Sequence, residues 1–415
     1  MRRLKRPVEW TIQAPFHSIE TFQDREGRVY LALNETEETG LAVYRWQGGT
    51  DWSKVAALPE LLLVSPKTSG VPWERLSFWD EPRDQWVFCT RSGPDHAYGL
   101  LTANHDFQVC TRTPLGSDLR VVRVSRFPDG DFLLDCQHTR DVDRQALRLS
   151  GTGKVRWRCC YPRIPEDQRG SYWYGEALPD GTAALWVRDE TPTVHLELLD
   201  GQGTHTGVLP HVRVGMWQPP VIRREGDDFL VDSWGFASRP NGLMDFSYTF
   251  RSQRFDSHWR EVECRERQVD QRGRMMAFHG TCYRDGGLFG TSPLFPPGPG
   301  SLYWCPYDGS DIWEYPLAGL DQDRLDSPNR QIPIYRRTDG TLVAAVDRRN
   351  ANAHFSVVGF GPDRQPDWAI KLRCEGRRFL FLRGDELLVI LRDLQQVRTL
   401  VYQLPAGQAP LMERA

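Results

Sequence analysis

Short apolar runs alternate with turn-forming residues along almost the whole chain. Runs such as 183–187 and 342–346 are bounded by glycine, aspartate, asparagine or proline, and helix-period patterns are nearly absent. This alternation is typical of short β-strands joined by turns. Turn dipeptides separate neighbouring apolar runs at Glu26-Gly27, Arg83-Asp84, Asp129-Gly130, Asp180-Gly181, Gly226-Asp227, Gly286-Gly287, Asp339-Gly340 and Gly384-Asp385. Because glycine and aspartate accept the positive φ of tight turns, the pattern predicts a succession of β-hairpins.

A large apolar residue recurs at intervals of 50 to 55 residues. The series is Trp52, Phe107, Trp157, Val208, Trp259, Trp313 and Trp368. Counting from Trp368 to the last residue and on from Met1 to Trp10 gives 57, so Trp10 extends the series across the termini. Both Trp10 and Trp368 lie in the order proline, acid, tryptophan, small residue, isoleucine. A period near 50 residues is typical of the four-stranded blades of a β-propeller.

The repeat predicts an all-β fold in which residues 1–415 form a single β-propeller domain of eight four-stranded blades, with seven blades as the alternative. The predicted units are 17–62, 73–116, 118–162, 170–212, 215–268, 273–320, 329–373, and 376–405 together with 7–15. The N-terminal strand would complete the C-terminal blade and remove an exposed sheet edge. The other interpretation is two unrelated β domains, one of them a sandwich.

One repeat carries a family resemblance. Residues 146–157, which end in Gly153-Lys154-Val155-Arg156-Trp157, resemble the repeat of the quinoprotein-like β-propeller superfamily, and 357–368 is a looser copy. The resemblance implies an eight-bladed fold shared by quinone-dependent dehydrogenases and by non-enzymatic assembly scaffolds. Some of those dehydrogenases stack a disulfide between adjacent cysteines on the cofactor. Because Cys159-Cys160 follows a final blade strand and no secretion signal precedes it, we expect reduced cysteines and no cofactor.

Composition excludes several classes of function. The net charge of −3 provides no basic field for a nucleic acid. The basic start of the chain is not followed by an apolar run of signal-peptide length, and no stretch reaches the roughly 18 apolar residues of a membrane helix. Nine cysteines without zinc-type spacing fit a reducing compartment. We therefore expect a cytoplasmic protein that binds neither nucleic acid nor membrane.

Catalytic motifs are absent from the sequence. The ten histidines have neither HxH nor HExxH spacing, and neither a GxSxG elbow nor a GxxxxGK[ST] phosphate loop is present. No catalytic, metal-binding or cofactor-binding residue is predicted. Arginine and acidic residues cluster near the ends of second strands, as at Arg348, Arg392 and Asp393, and we interpret them mainly as mutual salt bridges.

The connections between second and third strands are long and polar, whereas the first hairpins are tight. Long loops on a rigid scaffold usually carry function. The loops 236–246 and 293–300 contain apolar residues unusual for loops, and the blade openings are aromatic. The predicted binding residues are Tyr172, Trp173, Trp217, Arg239, Leu243, Phe246, His279, Phe295 and Arg348. The alternative is that these residues fill blade interfaces or fold down onto neighbouring blades.

These features favour a cytoplasmic interaction scaffold or sensor subunit that binds protein partners on its long-loop face, and they disfavour an enzyme. The alternative function is a hydrolase or lyase acting on a sugar or small molecule in the central funnel. Fold alone does not decide between them.

Overall fold

The computed structural model describes residues 4, 6–13, 19–24, 26–35, 40–59, 61–64, 76–92, 97–138, 144–160, 175–188, 194–209, 221–238, 244–269, 282–283, 287–291, 301–306, 313–317, 325–328, 335–336, 340–348, 354–376, 378–393 and 396–405.

The described residues form strands, with one short 3-10 helix at Glu81–Arg83 and no α-helix. The first ten strands are β1 (Val8–Gln13), β2 (Ile19–Gln23), β3 (Val29–Asn34), β4 (Leu41–Gly48), β5 (Asp51–Leu58), β6 (Leu61–Leu63), β7 (Ser77–Asp80), β8 (Gln85–Ser92), β9 (Ala97–Asn104) and β10 (Val109–Gly116). The next twelve are β11 (Leu119–Arg126), β12 (Phe132–His138), β13 (Arg144–Leu149), β14 (Val155–Cys160), β15 (Gly175–Ala177), β16 (Ala183–Arg188), β17 (Val194–Leu199), β18 (His205–Leu209), β19 (Val221–Glu225), β20 (Asp228–Ser238), β21 (Met244–Phe255) and β22 (Glu261–Val269). The last twelve are β23 (Cys282–Tyr283), β24 (Gly287–Thr291), β25 (Ser301–Pro306), β26 (Trp313–Pro316), β27 (Leu325–Pro328), β28 (Tyr335–Arg336), β29 (Leu342–Arg348), β30 (His354–Phe360), β31 (Pro366–Arg373), β32 (Arg378–Arg383), β33 (Glu386–Arg392) and β34 (Gln396–Gln403).

The strands form eight antiparallel sheets in which chain neighbours pair with each other. We number them I (β2–β5), II (β7–β10), III (β11–β14), IV (β15–β18), V (β19–β22), VI (β23–β26), VII (β27–β31) and VIII (β32–β34 with β1). Most of these sheets are four-stranded antiparallel meanders, and their succession is an all-β fold of the β-propeller class, as the sequence predicts. None of the described helices could span a bilayer.

The chain divides into two compact units, Trp73–Gln271 and the remainder, which is formed by Met1–Pro72 together with Arg272–Ala415. The interpretation of the whole chain as a single domain stays a prediction. In the second of these units, buried apolar side chains join neighbouring sheets in succession: VI packs on VII, VII on VIII, and VIII on I.

The N-terminal strand completes sheet VIII. All six residues of β1 pair with β34, from Val8 opposite Val401 to Gln13 opposite Gln396. Trp10 and Ile12 pack against the core that sheets VIII and I share. The prediction that the first strand closes the C-terminal sheet is therefore confirmed.

In the unit Trp73–Gln271, arginines tie one sheet to the turns of the next. Arg126 of sheet III places Nη1 2.6 Å from Oδ2 of Asp80 in sheet II. Arg83 of sheet II donates from Nη2 to the Phe127 carbonyl oxygen at 3.1 Å. The buried Arg148 guanidinium donates to the Gly181 carbonyl oxygen of sheet IV at 3.4 Å. These ion pairs and hydrogen bonds offset the cost of removing the arginines from water, and they link adjacent sheets.

A repeated turn joins the third and fourth strands of several sheets. Its first side chain accepts a hydrogen bond from the backbone N–H four residues later, at Asn104–Gln108 (2.8 Å), Ser150–Lys154 (2.9 Å), Asp200–Thr204 (2.8 Å) and Asp256–Arg260 (2.9 Å). The residue before that N–H has positive φ. Two of the repeat markers, Phe107 and Trp259, occupy this left-handed position, whereas Trp52, Trp157, Val208, Trp313, Trp368 and Trp10 lie on fourth strands.

Candidate interaction site

Most of the binding residues predicted from the sequence cannot be located in the fold. Seven of them lie outside the described residues: Tyr172, Trp173, Trp217, Arg239, Leu243, His279 and Phe295. Phe246 belongs to β21 and Arg348 is the last residue of β29. These binding residues therefore stay predictions. One of them, Phe246, lies on a hairpin of unusual length.

That hairpin consists of β20 and β21, which have 11 and 12 residues. The corresponding second and third strands of the other sheets have five to eight. The stretch 236–246 was expected to be a loop, and this expectation is wrong at its ends, because β20 continues to Ser238 and β21 begins at Met244. Aromatic residues at alternate positions, such as Phe246, Tyr248 and Phe250, favour a strand strongly enough to outweigh the nearby glycine and serine residues.

The hairpin extends past the strands that flank it. The inner strand β19 pairs with β20 only over residues 228–232. The outer strand β22 accompanies β21 as far as Tyr248. Beyond these points, among the strands that the structure describes, the pairs Ala237–Asp245 and Ser238–Met244 join the two hairpin strands only to each other. Within the described strands, the far end of β20–β21 is therefore a two-stranded projection from sheet V.

Aromatic residues occupy directly opposed positions just before this projection, where β22 still accompanies β21. Trp234 pairs with Phe250, and Phe236 pairs with Tyr248. Residues directly opposite, and residues two apart along a strand, share one face of a sheet, so all four belong to the same face. The register then shifts between Phe236 and Ala237. Such an irregularity increases the local twist and redirects the tip of a hairpin.

The base of the hairpin is fixed by buried polar contacts. The Asp232 carboxylate, which is 1 % exposed, accepts a hydrogen bond from the Ser252 hydroxyl at 2.6 Å. Gln253 is equally buried and donates from Nε2 to Glu261 Oε2 at 2.5 Å. Hydrogen bonds from buried side chains to the next strand favour a single register of the strands.

An aromatic stack supports the same base. The rings of Phe229 and Trp259 lie nearly parallel, with centroids 4.4 Å apart and an interplanar angle of 8°. Trp259 occupies the left-handed position of the turn that Asp256 caps. The backbone hydrogen bond from Arg260 is the main cause that lowers the pKa of Asp256, so this cap stays ionised at neutral pH. The projection therefore extends from a well-ordered platform.

Polar residues on β11 and β12 of sheet III and on β15 of sheet IV bear on the alternative of an enzyme. Arg123 Nη2 lies 3.7 Å from Glu176 Oε1. Asp135, which is 2 % exposed, accepts a hydrogen bond at Oδ2 from the Gly175 N–H at 2.7 Å. These contacts join sheet III to sheet IV. Among the described residues, the polar groups here therefore act as links between neighbouring sheets.

The comparisons with known proteins assign the chain to no family. No family model and no curated protein matches it. A streptogramin B lyase structure matches 82 % of this chain and 96 % of its own, with 12 % identity and a TM-score of 0.35. The dihydro-heme d1 dehydrogenase NirN matches 88 % of this chain and 73 % of its own, with 11 % identity and a TM-score of 0.47. Prolyl oligopeptidase B from Galerina marginata matches 93 % and 55 %, with 10 % identity and a TM-score of 0.47.

At such low identity no activity, substrate or partner transfers from these structures to the chain. The resemblance of residues 146–157 to quinoprotein-like repeats likewise stays a resemblance. Any functional conclusion must therefore come from the chain's own surfaces.

Proposed function

We propose that this protein is an interaction scaffold that binds a protein partner through the projecting end of the β20–β21 hairpin. The observation that carries the proposal is the length of this hairpin, whose end passes both flanking strands. The hairpin carries two paired backbones to its far end and places four aromatic positions directly before that end. Aromatic anchors of this kind supply much of the binding energy of protein interfaces.

The hairpin also offers affinity at low entropic cost. Its base is anchored by the Asp232–Ser252 hydrogen bond and by the Phe229–Trp259 stack. A recognition element that is already ordered loses little conformational freedom on binding. The residues Arg239, Leu243 and Phe246 belong to the same projection by sequence position, and we propose them as partner contacts.

The alternative, an enzyme with a site in the funnel, receives less support. The polar residues that could serve catalysis, the buried Arg123 and Asp135 and the partly exposed Glu176, contact the neighbouring sheet. A catalytic site needs such groups to converge on a space where a substrate can lie. A funnel enzyme is therefore an outcome of the test below and not a second proposal.

The test shortens the hairpin without opening the sheet. Residues 236–248 are replaced by Asn-Gly, which leaves the Gly235–Thr249 pair to close a two-residue turn. Circular dichroism and the thermal midpoint should stay close to those of the full chain. Capture of partners from lysate of the native host, quantified by mass spectrometry, should lose a defined set of proteins. Leu243→Asp should weaken the same capture at least about tenfold, or about 1.4 kcal/mol.

The matched control is Asp180→Asn, in the tight turn of sheet IV. Its side chain accepts hydrogen bonds from the N–H and the hydroxyl of Thr182, both of which an asparagine oxygen can also accept. It should change neither folding nor capture. If the shortened hairpin keeps full capture while Trp217→Ala or His279→Ala abolishes function, the funnel interpretation replaces the scaffold.

A further inference from the structure

The outer strand of sheet V differs from the other outer strands. The strand β22 has nine residues, against four to eight in β1, β5, β10, β14, β18, β26 and β31. It contains no proline, whereas β10, β26 and β31 contain Pro114, Pro316 and Pro366. Its pairing with β21 is regular from Glu263 to Val269. Long, regular and proline-free edges are the ones that accept another strand.

The edge is also accessible. Val262 is 62 % exposed, and Cys264 and Glu266 are exposed. The side chains of Glu263 and Arg265 are 41 % and 65 % exposed. Among the strands that the structure describes, β21 alone pairs with β22. An exposed strand of this length leaves a row of backbone N–H and C=O groups available to a partner strand.

We propose that β22 pairs antiparallel with β22 of a second copy of this chain, with Cys264 opposite Cys264. The charges select this partner and this register. With Cys264 at the centre, each Glu263 lies opposite the other copy's Arg265, and each Val262 lies opposite Glu266. Opposite charges at directly opposed positions stabilise a strand pair. Because the pair is two-fold symmetric, each such contact occurs twice.

Neighbouring registers are unfavourable. A shift that places Arg265 at the centre sets arginine against arginine, and one that places Glu263 there sets glutamate against glutamate. Like charges directly opposed destabilise a pair of strands. Each of these shifted registers keeps one type of attractive pair, Glu263 with Arg267 or Glu261 with Arg265, but adds the repulsive pair at its centre. The Cys264-centred register has two types, Glu263 with Arg265 and Glu261 with Arg267, and no like-charged pair, so the sequence of β22 favours it.

Self-pairing of the outer strand β14 would lack this complementarity. Self-pairing of β14 about Trp157 would set Arg156 against the other copy's Arg158. The equivalent arrangement in sheet III is therefore repulsive. In β22 the exposed Glu263 and Arg265 already form an ion pair within one chain, with Arg265 Nε 2.7 Å from Glu263 Oε1. The two side chains thus lie on one face, where both reach the partner strand.

The experiment reverses charges and measures mass in solution. The full chain should be dimeric by light scattering at about 100 µM, where a micromolar Kd leaves most molecules paired. Glu263→Arg and Arg265→Glu should each be monomeric, because each sets like charges opposite each other. The double variant should dimerise again. An equimolar mixture of the two single variants should form a heterodimer, because arginine then faces glutamate at both positions.

The control is Arg112→Glu on the outer strand β10, which should leave the dimer unchanged. Crosslinking of the unsubstituted chain supplies a measurement that does not depend on whether the charge variants fold. Copper phenanthroline with oxygen should join two copies through Cys264, with loss of two thiol protons and two electrons to the oxidant, and Cys264→Ser should abolish the crosslink. A monomeric full chain at this concentration, or a crosslink that persists in Cys264→Ser, would overturn the proposal. So would folded single variants that remain dimeric.

Discussion

The indole rings of Trp10 and Trp52 stack with centroids 5.6 Å apart and planes inclined by 23°. Trp10 belongs to the N-terminal strand that completes sheet VIII, and Trp52 lies on β5 of sheet I. Tyr44 lies 6.0 Å from the same Trp10 ring. The strand that completes one sheet thus also packs on the next. Trp10 therefore contributes to stability through both backbone pairing and side-chain packing.

Replacing Trp10 by alanine should destabilise the protein. The change removes a large, partly buried ring from the core that sheets VIII and I share. Truncating a fully buried tryptophan to alanine lowers the free energy of unfolding by about 3–5 kcal/mol, so truncating a half-buried ring should lower it by about 1–3 kcal/mol. The urea midpoint should fall accordingly. Thr11→Ala, at an exposed position on the same strand, should have little effect.

Deleting residues 1–15 should have a larger effect than the point variant. The deletion uncovers the edge of β34, which pairs with all six residues of β1. An uncovered edge promotes aggregation. We expect lower solubility and a lower melting temperature. A truncated chain that melts like the full chain would contradict the assignment of the first strand to sheet VIII.

Glycine is required opposite Trp368. Gly359 and Trp368 are direct cross-strand partners, and a Cβ at Gly359 would lie 2.1 Å from Cε2 of the indole. Trp368 is buried, so the ring has no free space to move into. Gly359→Ala should cost about 1–3 kcal/mol through overpacking, measured by urea unfolding. The control, Gly207→Ala, meets no atom within 4 Å and should be neutral or slightly stabilising.

The same pair shows why the repeat was predictable. Trp10 and Trp368 share a local order of residue types because each packs on a neighbouring sheet, and that requirement recurs once in each unit. The strand pattern and the closure by the first strand follow from it. The left-handed turn positions of Phe107 and Trp259 could not be predicted from this repeat, because a positive φ at a residue other than glycine leaves no periodic signal in the sequence.

The candidate site was less accessible to prediction. Phe246 was expected in a loop because glycine and serine interrupt the apolar run, yet cross-strand pairing extends β20 and β21 past that interruption. The complementarity of Glu263 and Arg265 appears only when β22 is known to be an outer edge and its pairing register is known. Both features depend on tertiary pairing, which overrides local propensity.

The Glu35 carboxyl should make stability depend on pH. Burial opposes its ionisation, but hydrogen bonds from Lys54 and Tyr44 prevail and lower its pKa below the ordinary value of 4.5. A lowered pKa in the folded state means that the contribution is complete above about pH 4.5 and is lost as the pH falls through the folded-state pKa. The difference in urea midpoint between the full chain and Glu35→Gln should therefore shrink as the pH approaches 3.

A double-mutant cycle supplies the control for this prediction. Lys54 Nζ lies 2.7 Å from Glu35 Oε2. In a Lys54→Gln background, Glu35→Gln should change the midpoint less at neutral pH, because part of the partner contribution is already gone. An equal effect in both backgrounds would show that Lys54 does not stabilise the ionised carboxyl.

The cysteines should separate into two reactivity classes. Burial raises the pKa of Cys89 to about 12 and that of Cys374 to about 11, and it raises the pKa of Cys136 well above the ordinary range. The thiolate is the nucleophile, so these three should resist N-ethylmaleimide at pH 8 until the protein unfolds. Cys110 and Cys264 are exposed and should react quickly. Peptide mapping by mass spectrometry measures each rate.

Denaturation without reductant should release all nine thiols of the chain. This expectation includes Cys159 and Cys160, and two or more cysteines protected in protein from the native host would contradict it. The labelling rates of the two exposed cysteines also test the pairing of β22, because Cys264 lies on β22 and Cys110 lies on β10. If two copies pair through β22, the labelling rate of Cys264 relative to Cys110 should fall as protein concentration rises. In Glu263→Arg that ratio should not depend on concentration, because the strands no longer pair.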